Sequence, residues 1–505
     1  MPDYFGDFEI HLTGYSTQAD RLQLLAERHG VKFSDIELDR GRHRQQPMLT
    51  IPARGTLAEV RAEAERWDER VSRLSLYPVR VKIEAAPWNA GVPVGDADAD
   101  PALYFEHHVK LLLDELTVAQ TIALTELAER HGARLSRNAR RHLAEGRHER
   151  FVTQRCFGVG RTTAHARLEA LVADLRAARH RILETEEEYV VHDSALALDA
   201  GWLTTIDQHA DSYEDQHRHA PEGSEDYPAT YKPLPQAPEY QHRAAFDPSL
   251  QHYSNAYRAG RPRFIDPDAQ ARWRTTRQEV IDHLLGLIAT SQWADHLVLR
   301  GSVTLRAWFG DEAREPGDLD FVVVPQSISA DDPRLLDDVI ALVAADPGPG
   351  LKADEVARDE IWTYDRVPGR RLVFPYAGDG TIQLDFVFNE ELPILPERLP
   401  IGSGHLLTAT PELSLGWKLL WLTSDLYPQG KDLYDAVLLA ERTDISPALI
   451  RTLLDGEEFS PLTVLALEVD WRNFADEYPN VEGDAEHWLR RLALALERSY
   501  VSGSG

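Results

Sequence analysis

The 505-residue sequence predicts an α/β chain of the α+β kind, with a duplicated βαββαβ unit in the N-terminal half and a second domain ending in a helical C-terminal part. Three observations lead there. A hexapeptide recurs about a hundred residues downstream, apolar residues switch between the strand period and the helix period, and charge is divided unevenly along the chain. At about 100–200 residues per domain, one core is not enough.

The repeat is read first. Leu25-Ala26-Glu27-Arg28-His29-Gly30 returns as Leu127 to Gly132, each time closing an amphipathic helical stretch with the glycine a helix C-cap prefers. Glu9-Ile10-His11-Leu12 is answered by Glu106-His107-His108-Val109, and Gly41-Arg42-His43 by Gly146-Arg147-His148, at spacings of 97, 102 and 105. Within the first copy, strands are expected at Phe8 to Leu12, Lys32 to Leu38, Met48 to Ile51 and Val79 to Ile83, with helices ending at Gly30 and spanning Leu57 to Leu74. That order is the split βαβ, or ferredoxin-like, plan. The domains expected are 1–95 and 103–204 for the two copies, 205–265 for a linker, 266–400 for a catalytic core and 401–505 for a helical part. In the second copy the acidic run Glu184 to Glu188 is expected to precede a last strand, Tyr189 to His192.

Composition excludes several classes. The single Cys156 builds neither a disulfide nor a multi-cysteine zinc site, no apolar run reaches membrane-span length, and Met1-Pro2-Asp3-Tyr4 lacks a basic, apolar leader; a cytoplasmic protein is expected. The net charge of −29 argues against a protein that coats nucleic acid indiscriminately. Residues 1–200 hold only −5 of it and residues 201–505 hold −24. Arg134, Arg137, Arg140, Arg141, Arg147, Arg150 and Arg155 crowd one segment with only Glu145 and Glu149 opposing them. They are read as an RNA-facing patch or as a solvated face paired with neighbouring carboxylates. Gly158-Val159-Gly160-Arg161 lacks the third glycine of a dinucleotide site and reads as a lead-in turn.

From Asp207 to about Asp266 periodicity gives way to Pro, His, Tyr, Asp and Gln. The histidines there (His209, His217, His219, His242, His252) lack ligand spacing, and the tyrosines suggest a strap that buries some of itself.

The chemistry concentrates further on. A helix from Ala269 to Ile288 leads to a strand, His296 to Leu299, and then to Arg300-Gly301-Ser302, a turn whose backbone N–H groups suit a phosphate. Asp318-Leu319-Asp320 opens the buried run Phe321 to Val324, and residues i and i+2 of a strand share a face. Two carboxylates held side by side ask for a hard divalent cation, Mg2+ or Mn2+. Asp385 stands as an isolated acid inside a second apolar strand, Thr381 to Phe388.

Gly-Ser, a spacer, Asp-x-Asp on a strand and a third strand aspartate resemble the polymerase-β-like nucleotidyltransferases, and more closely their AbiEii/AbiGii toxin branch. The finer likeness is carried by LVLRGSVTLRAWFG ending at Gly310, by Arg314, by Lys418 in Trp417-Lys418-Leu419-Leu420, and by Lys431-Asp432-Leu433-Tyr434-Asp435. It covers about residues 265–445. Two features depart from it: Asp425 stands where many relatives carry an arginine, and the spacer from Ser302 to Asp318 is long.

The resemblance implies NMP transfer from an NTP to an acceptor, a tRNA-like RNA foremost, in a toxin or phage-defence role with a possible antitoxin partner and no membrane. It implies that Asp318, Asp320 and Asp385 hold metal and that Gly301 and Ser302 cradle phosphates. Lys418 would neutralise charge, and Asp432 would position Lys418 or the nucleotide. Asp435 is read as structural. Two other readings stand beside it. His11-Leu12-Thr13, taken to lie on an edge of the fold, and His108-Val109-Lys110 faintly resemble the paired motifs of two-histidine phosphoesterases, although the second lacks the hydroxyl; both are otherwise ordinary strand histidines. The other is a nucleotide sensor without turnover. Residues 446–505 read as helical.

Overall fold

The structure is a computed structural model, and it describes residues 4–41, 43–114, 116–141, 147–203, 240–246, 257–363, 367–377, 380–401, 404–425, 428–456 and 459–502. The chain divides into two compact units, Met1–Ser212 and Tyr213–Gly505.

In the first unit the elements run β1 (Phe5–Thr13), α1 (Ala19–His29), β2 (Lys32–Leu38), β3 (Gln45–Thr56), α2 (Leu57–Ser72) and β4 (Arg80–Ala85). The pattern then returns as β5 (Tyr104–Leu113), α3 (Val118–Arg130), β6 (Ala133–Asn138), β7 (His148–Phe157), α4 (Arg161–Ala177) and β8 (Arg181–Asp193). Local chemistry sets the boundaries. Thr56 with Glu59 and Thr117 with Gln120 form capping boxes at the starts of α2 and α3, and Gly30 and Gly132 both take positive φ after the repeated hexapeptide.

Each copy orders its strands as the split βαβ plan requires, β4-β1-β3-β2 and β8-β5-β7-β6. The copies then join at both edges, β2 to β6 and β4 to β8, into one closed antiparallel barrel of eight strands. The helices pack one face of the strands, with Ile10, Leu12, Leu25, Val60 and Trp67 in one core and Val109, Leu111, Leu124, Leu168 and Leu171 in another. Alternation sends the other face inward.

That inner face is polar, and three expectations change with it. His11-Leu12-Thr13 lies on no edge, because β1 runs between β3 and β4 and closure leaves the barrel none. The run Glu184 to Glu188 is part of β8 and does not precede it; alternate residues of a strand face the interior, where Glu188 lies 3.7 Å from His108 Nε2. Arg155 leaves the surface patch altogether: its buried guanidinium reaches Glu106 at 2.5 Å and Asp199 at 2.6 Å. The other described arginines of that segment lie on β6, β7 and the turn between them. Arg134 pairs with Glu129, Arg137 with Glu37 at 2.5 Å, Arg140 with Asp20 and Asp35, and Arg141 with Glu149. Arg150 donates to the Glu149 carbonyl at 3.2 Å. Glu145 and Gly146 lie outside the described residues.

Within the expected linker, β9 (Tyr240–Phe246) and β10 (Tyr257–Phe264) form an antiparallel pair, with the Tyr240 and Phe264 rings 5.2 Å apart. Burial of such rings explains a hairpin where the polar composition suggested none. His209, His217, His219 and His252 lie outside the described residues.

The second unit continues with α5 (Pro267–Ala289), β11 (Leu297–Arg300), α6 (Ser302–Phe309), β12 (Leu319–Val323), α7 (Arg334–Ala345), β13 (Ala357–Thr363), β14 (Val367–Tyr376), β15 (Gly380–Val387), β16 (Glu397–Ile401) and β17 (Gly404–Thr408). Helices α8 (Pro411–Ser424) and α9 (Gly430–Ala440) follow, and further helices end with Ala485–Ser502. The seven-stranded sheet has the order β13-β14-β15-β12-β11-β17-β16. One face packs α5 and α7 through Leu284, Leu299, Phe321, Val339 and Phe386; the other packs α8 through Val298, Val322, Leu413 and Trp417.

The β4–β8 seam of the barrel rests on buried ions. Arg80 reaches Asp193 at 2.6 Å and Asp199 at 2.9 Å, all three at least nine-tenths buried. Arg80→Met should therefore destabilise the first unit by about 3–5 kcal/mol, because it takes the paired cation from buried Asp193 and leaves Asp199 with Arg155 alone of its two arginines. Urea unfolding followed by far-UV circular dichroism measures this, and an unchanged midpoint would refute it.

Candidate functional site

Strand register assembles the site. Arg300 of β11 pairs with Asp320 of β12, Asp320 with Asp385 of β15, and Asp385 with Arg371 of β14. Directly paired residues share a face, so a line of Arg, Asp, Asp and Arg crosses four strands on the face that α8 covers. Asp318 lies two residues upstream, in the segment leading into β12.

The two central carboxylates are held differently. Asp385 is buried; it accepts from Arg371 Nε and Nη2, each at 2.7 Å, and from Gln383 Nε2 at 3.0 Å. Burial, then the charges of Asp318 and Asp385, pushes the Asp320 carboxyl up to about 8, with Arg300 and Lys431 only partly opposing. Arg300 itself reaches Glu390 at 2.7 Å and lies over the Trp417 ring at 4.9 Å. Burial raises the Glu390 carboxyl despite that partner.

Gly301 follows β11 with φ 84°, and a Cβ there would come within 2.8 Å of Asp320 Oδ2. Only glycine gives this turn and this approach together. Ser302, buried at the start of α6, accepts from Gly317 N–H at 3.4 Å, which holds the turn against the segment before Asp318.

Lys418 of α8 and Asp432 and Asp435 of α9 form a second cluster. Lys418 Nζ lies 2.7 Å from Asp432 and 3.0 Å from Asp435, and 4.5 Å from the centre of the Trp421 ring. Asp435, fully buried, also accepts from Arg314 Nε at 3.0 Å and Nη2 at 2.9 Å. Burial opposes both charges of the Lys418–Asp432 pair; the Asp432 and Asp435 charges nevertheless raise the Lys418 ammonium, and the Lys418 and Lys431 charges lower the Asp432 carboxyl.

A cavity of about 830 Å³ adjoins Arg314 and Lys431 and is further lined by Trp273, Arg274, Arg306 and Tyr434. The three aspartates, Gly301 and Ser302 do not line it. Nor are the aspartates drawn into a tight cluster. Among the described residues, the one set of His and carboxylate groups whose ligand atoms all lie within 4.8 Å of one another is Glu9, His11 and Glu84 in the barrel. There His11 Nε2 lies 2.5 Å from Glu84 and Nδ1 lies 3.0 Å from Thr50 Oγ1. His108 Nδ1 makes the same 3.0 Å contact with Thr153. Each Nε2 thus faces carboxylates where a phosphoesterase would present it to phosphate.

Sequence reasoning missed Arg371 and Glu390, which stand far away in sequence and meet their partners only across the sheet. The cation opening the apolar run Arg371-Leu372-Val373-Phe374 was the available signal.

Residues 283–494 match the model of a known family, the nucleotidyl transferase AbiEii toxin of type IV toxin–antitoxin systems. The N-terminal half has no family match, and no curated protein matches the chain. No helix among the described residues is long and apolar enough to cross a membrane.

Because its carboxyl titrates near 8 when folded and near 4 when unfolded, Asp320 makes the metal-free protein less stable as pH rises between those values. With chelator present, Asp320→Asn should match wild type at about pH 4 and exceed it progressively, by on the order of a few kcal/mol above about pH 8. Denaturant unfolding across that range measures the gap; a gap independent of pH would refute the assignment.

Proposed function

With residues 283–494 matching the AbiEii nucleotidyltransferase toxin family, and nucleotidyl transfer therefore implied, we infer that the chain moves an NMP from an NTP to an RNA acceptor as a defensive toxin. The observation carrying this reading is the turn at Gly301, whose lack of a side chain lets the Asp320 carboxylate approach the backbone, beside carboxylates stacked by register.

The residues suit a hard divalent metal, for which magnesium is the candidate. The donors are oxygens, Asp320 resists ionisation without a cation nearby, and a methyl group at Gly301 would crowd its oxygen. Asp318 and Asp320 would hold it. A carboxylate has about four acceptor positions; Arg371 and Gln383 use three on Asp385, so one remains, for a metal or for the acceptor hydroxyl, while the arginine fixes its orientation. When bound, the metal offsets the charge that develops on transferring phosphoryl oxygens.

The chain's own residues do the rest. Backbone N–H groups at Gly301 and Ser302 orient the terminal phosphates for departure as pyrophosphate. Asp385 accepts the acceptor hydroxyl proton or orients that hydroxyl. Lys418, locked by Asp432 and Asp435, acts as a fixed positive charge that steadies the leaving phosphates, and Asp432 works through Lys418. RNA would use the exposed Arg137, Arg140 and Arg141, with Arg134, Arg147 and Arg150 at its margin; Arg155 is withdrawn inside the barrel. A cytoplasmic setting and a separate antitoxin go with the family.

Incubation with each labelled NTP, magnesium and total RNA should label RNA, and Asp318→Asn and Gly301→Ala should each lower the label at least a hundredfold while leaving the fold intact by circular dichroism. Nucleotide binding with no labelled product in RNA or protein would establish a sensor and overturn transfer.

A further inference from the structure

We propose that the barrel of the first unit holds one divalent transition-metal ion, in its first repeat, ligated by His11, Glu9 and Glu84. The argument is independent of nucleotidyl transfer and starts from the duplication. In the first copy His11 pairs across the strands with Thr50, and Glu9 with Glu84. In the second copy His108 pairs with Thr153, and Glu106 with Glu188. The four positions are equivalent by register, and all four residue types are kept. Neighbouring positions are not: Lys82, opposite His11, corresponds to Glu186, opposite His108.

The histidine anchor repeats as well, although among the described residues only Glu9, His11 and Glu84 bring all three ligand atoms within 4.8 Å of one another. Each Nδ1 lies 3.0 Å from its threonine hydroxyl, and a ring bound to an ion through Nε2 carries its proton on Nδ1 and donates it there. Orientation of a ligating ring through its other nitrogen is how proteins prepare histidine for metal. His11 Nε2 faces Glu84 at 2.5 Å and Glu9 at 3.7 Å, and His108 Nε2 faces Glu106 at 3.3 Å and Glu188 at 3.7 Å. Bonds of about 2.0–2.2 Å set neighbouring ligand atoms about 3–3.5 Å apart, so three of these four separations are close to a coordination edge, and the fourth is a hydrogen bond that an ion would open.

Negative charge is crowded there as well. Lys82, 2.5 Å from Glu84 and 2.9 Å from Glu106, and Arg155, 2.5 Å from Glu106, answer two of the four carboxylates. Glu84 is 2% exposed and lies against the Glu188 carboxyl as well as Lys82. A mixed imidazole and carboxylate set suits manganese, ferrous iron or zinc better than magnesium.

The test uses the full chain with Asp318→Asn and Asp320→Asn, so that the second unit's carboxylates do not contribute. After chelation, Mn2+ is titrated and followed by electron paramagnetic resonance. One ion should bind per chain, with nitrogen modulation in the pulsed spectrum from imidazole. His11→Ala should lose the ion and Thr50→Val should weaken the site about 10–100-fold while keeping the ring, whereas His108→Ala and Thr153→Val should retain it. The nitrogen signal needs no histidine variant, so poor folding of the alanine variants leaves the proposal open to refutation. No bound Mn2+, bound Mn2+ without nitrogen modulation, or binding indifferent to His11→Ala and Thr50→Val would each overturn it, leaving His11 as a hydrogen-bonded partner of Glu84.

Discussion

Asp435 is the constraint on which the second unit turns. It is fully buried, and it is tolerable there only because Lys418 comes from one helix and Arg314 from the segment that leads to β12. Three pieces of chain distant in sequence are thereby tied at one carboxylate, and loss of any partner would leave a charge out of water. Arg314 thereby fixes the segment that leads to Asp318, and Lys418 is held by the same carboxylate. What seems a surface basic residue in the sequence is an immobilised charge.

The line of Arg300, Asp320, Asp385 and Arg371 obeys the same logic with a different result. The outer arginines are engaged, Arg300 with Glu390 and Arg371 with Asp385. Asp320 receives less compensation than its burial demands. Such a group is expensive to ionise, and a protein keeps one where an incoming cation completes the balance. The barrel shows the opposite economy, with nearly every buried ion matched across strands: Arg80 with Asp193, Arg155 with Glu106, Lys82 with both Glu84 and Glu106.

Local features were legible in the sequence. The repeated hexapeptide ended in glycines that do take positive φ, the βαββαβ order of both copies was readable from period alone, and Asp318-Leu319-Asp320 announced itself by placing acids against an apolar strand. What escaped was non-local. Closure of the barrel depends on β2 meeting β6 and β4 meeting β8, pairings that no single strand encodes. The acidic run Glu184 to Glu188 was placed ahead of the last strand because its partners, His108 and Lys110, come from another strand. Asp435 closed the motif that carried the family likeness, yet its importance comes from Arg314, more than a hundred residues earlier. The arginine-rich segment misled most at Arg155, where strand alternation turns a cation inward that a linear count assigns to the surface.

Two-edged sheets have a further implication for the history of the first unit. One copy alone presents β2 and β4 as open edges, and the barrel closes because a second copy offers the complementary edges at the same two seams. A single copy would therefore find its natural complement in another identical chain, with two equal interiors related by symmetry. Joining the copies in one polypeptide removes that dependence on concentration and lifts the requirement of identity. The two sides were then free to drift apart, and they have: His11 is followed two residues on by Thr13, His108 by Lys110. Asymmetry of that kind is out of reach for a homodimer.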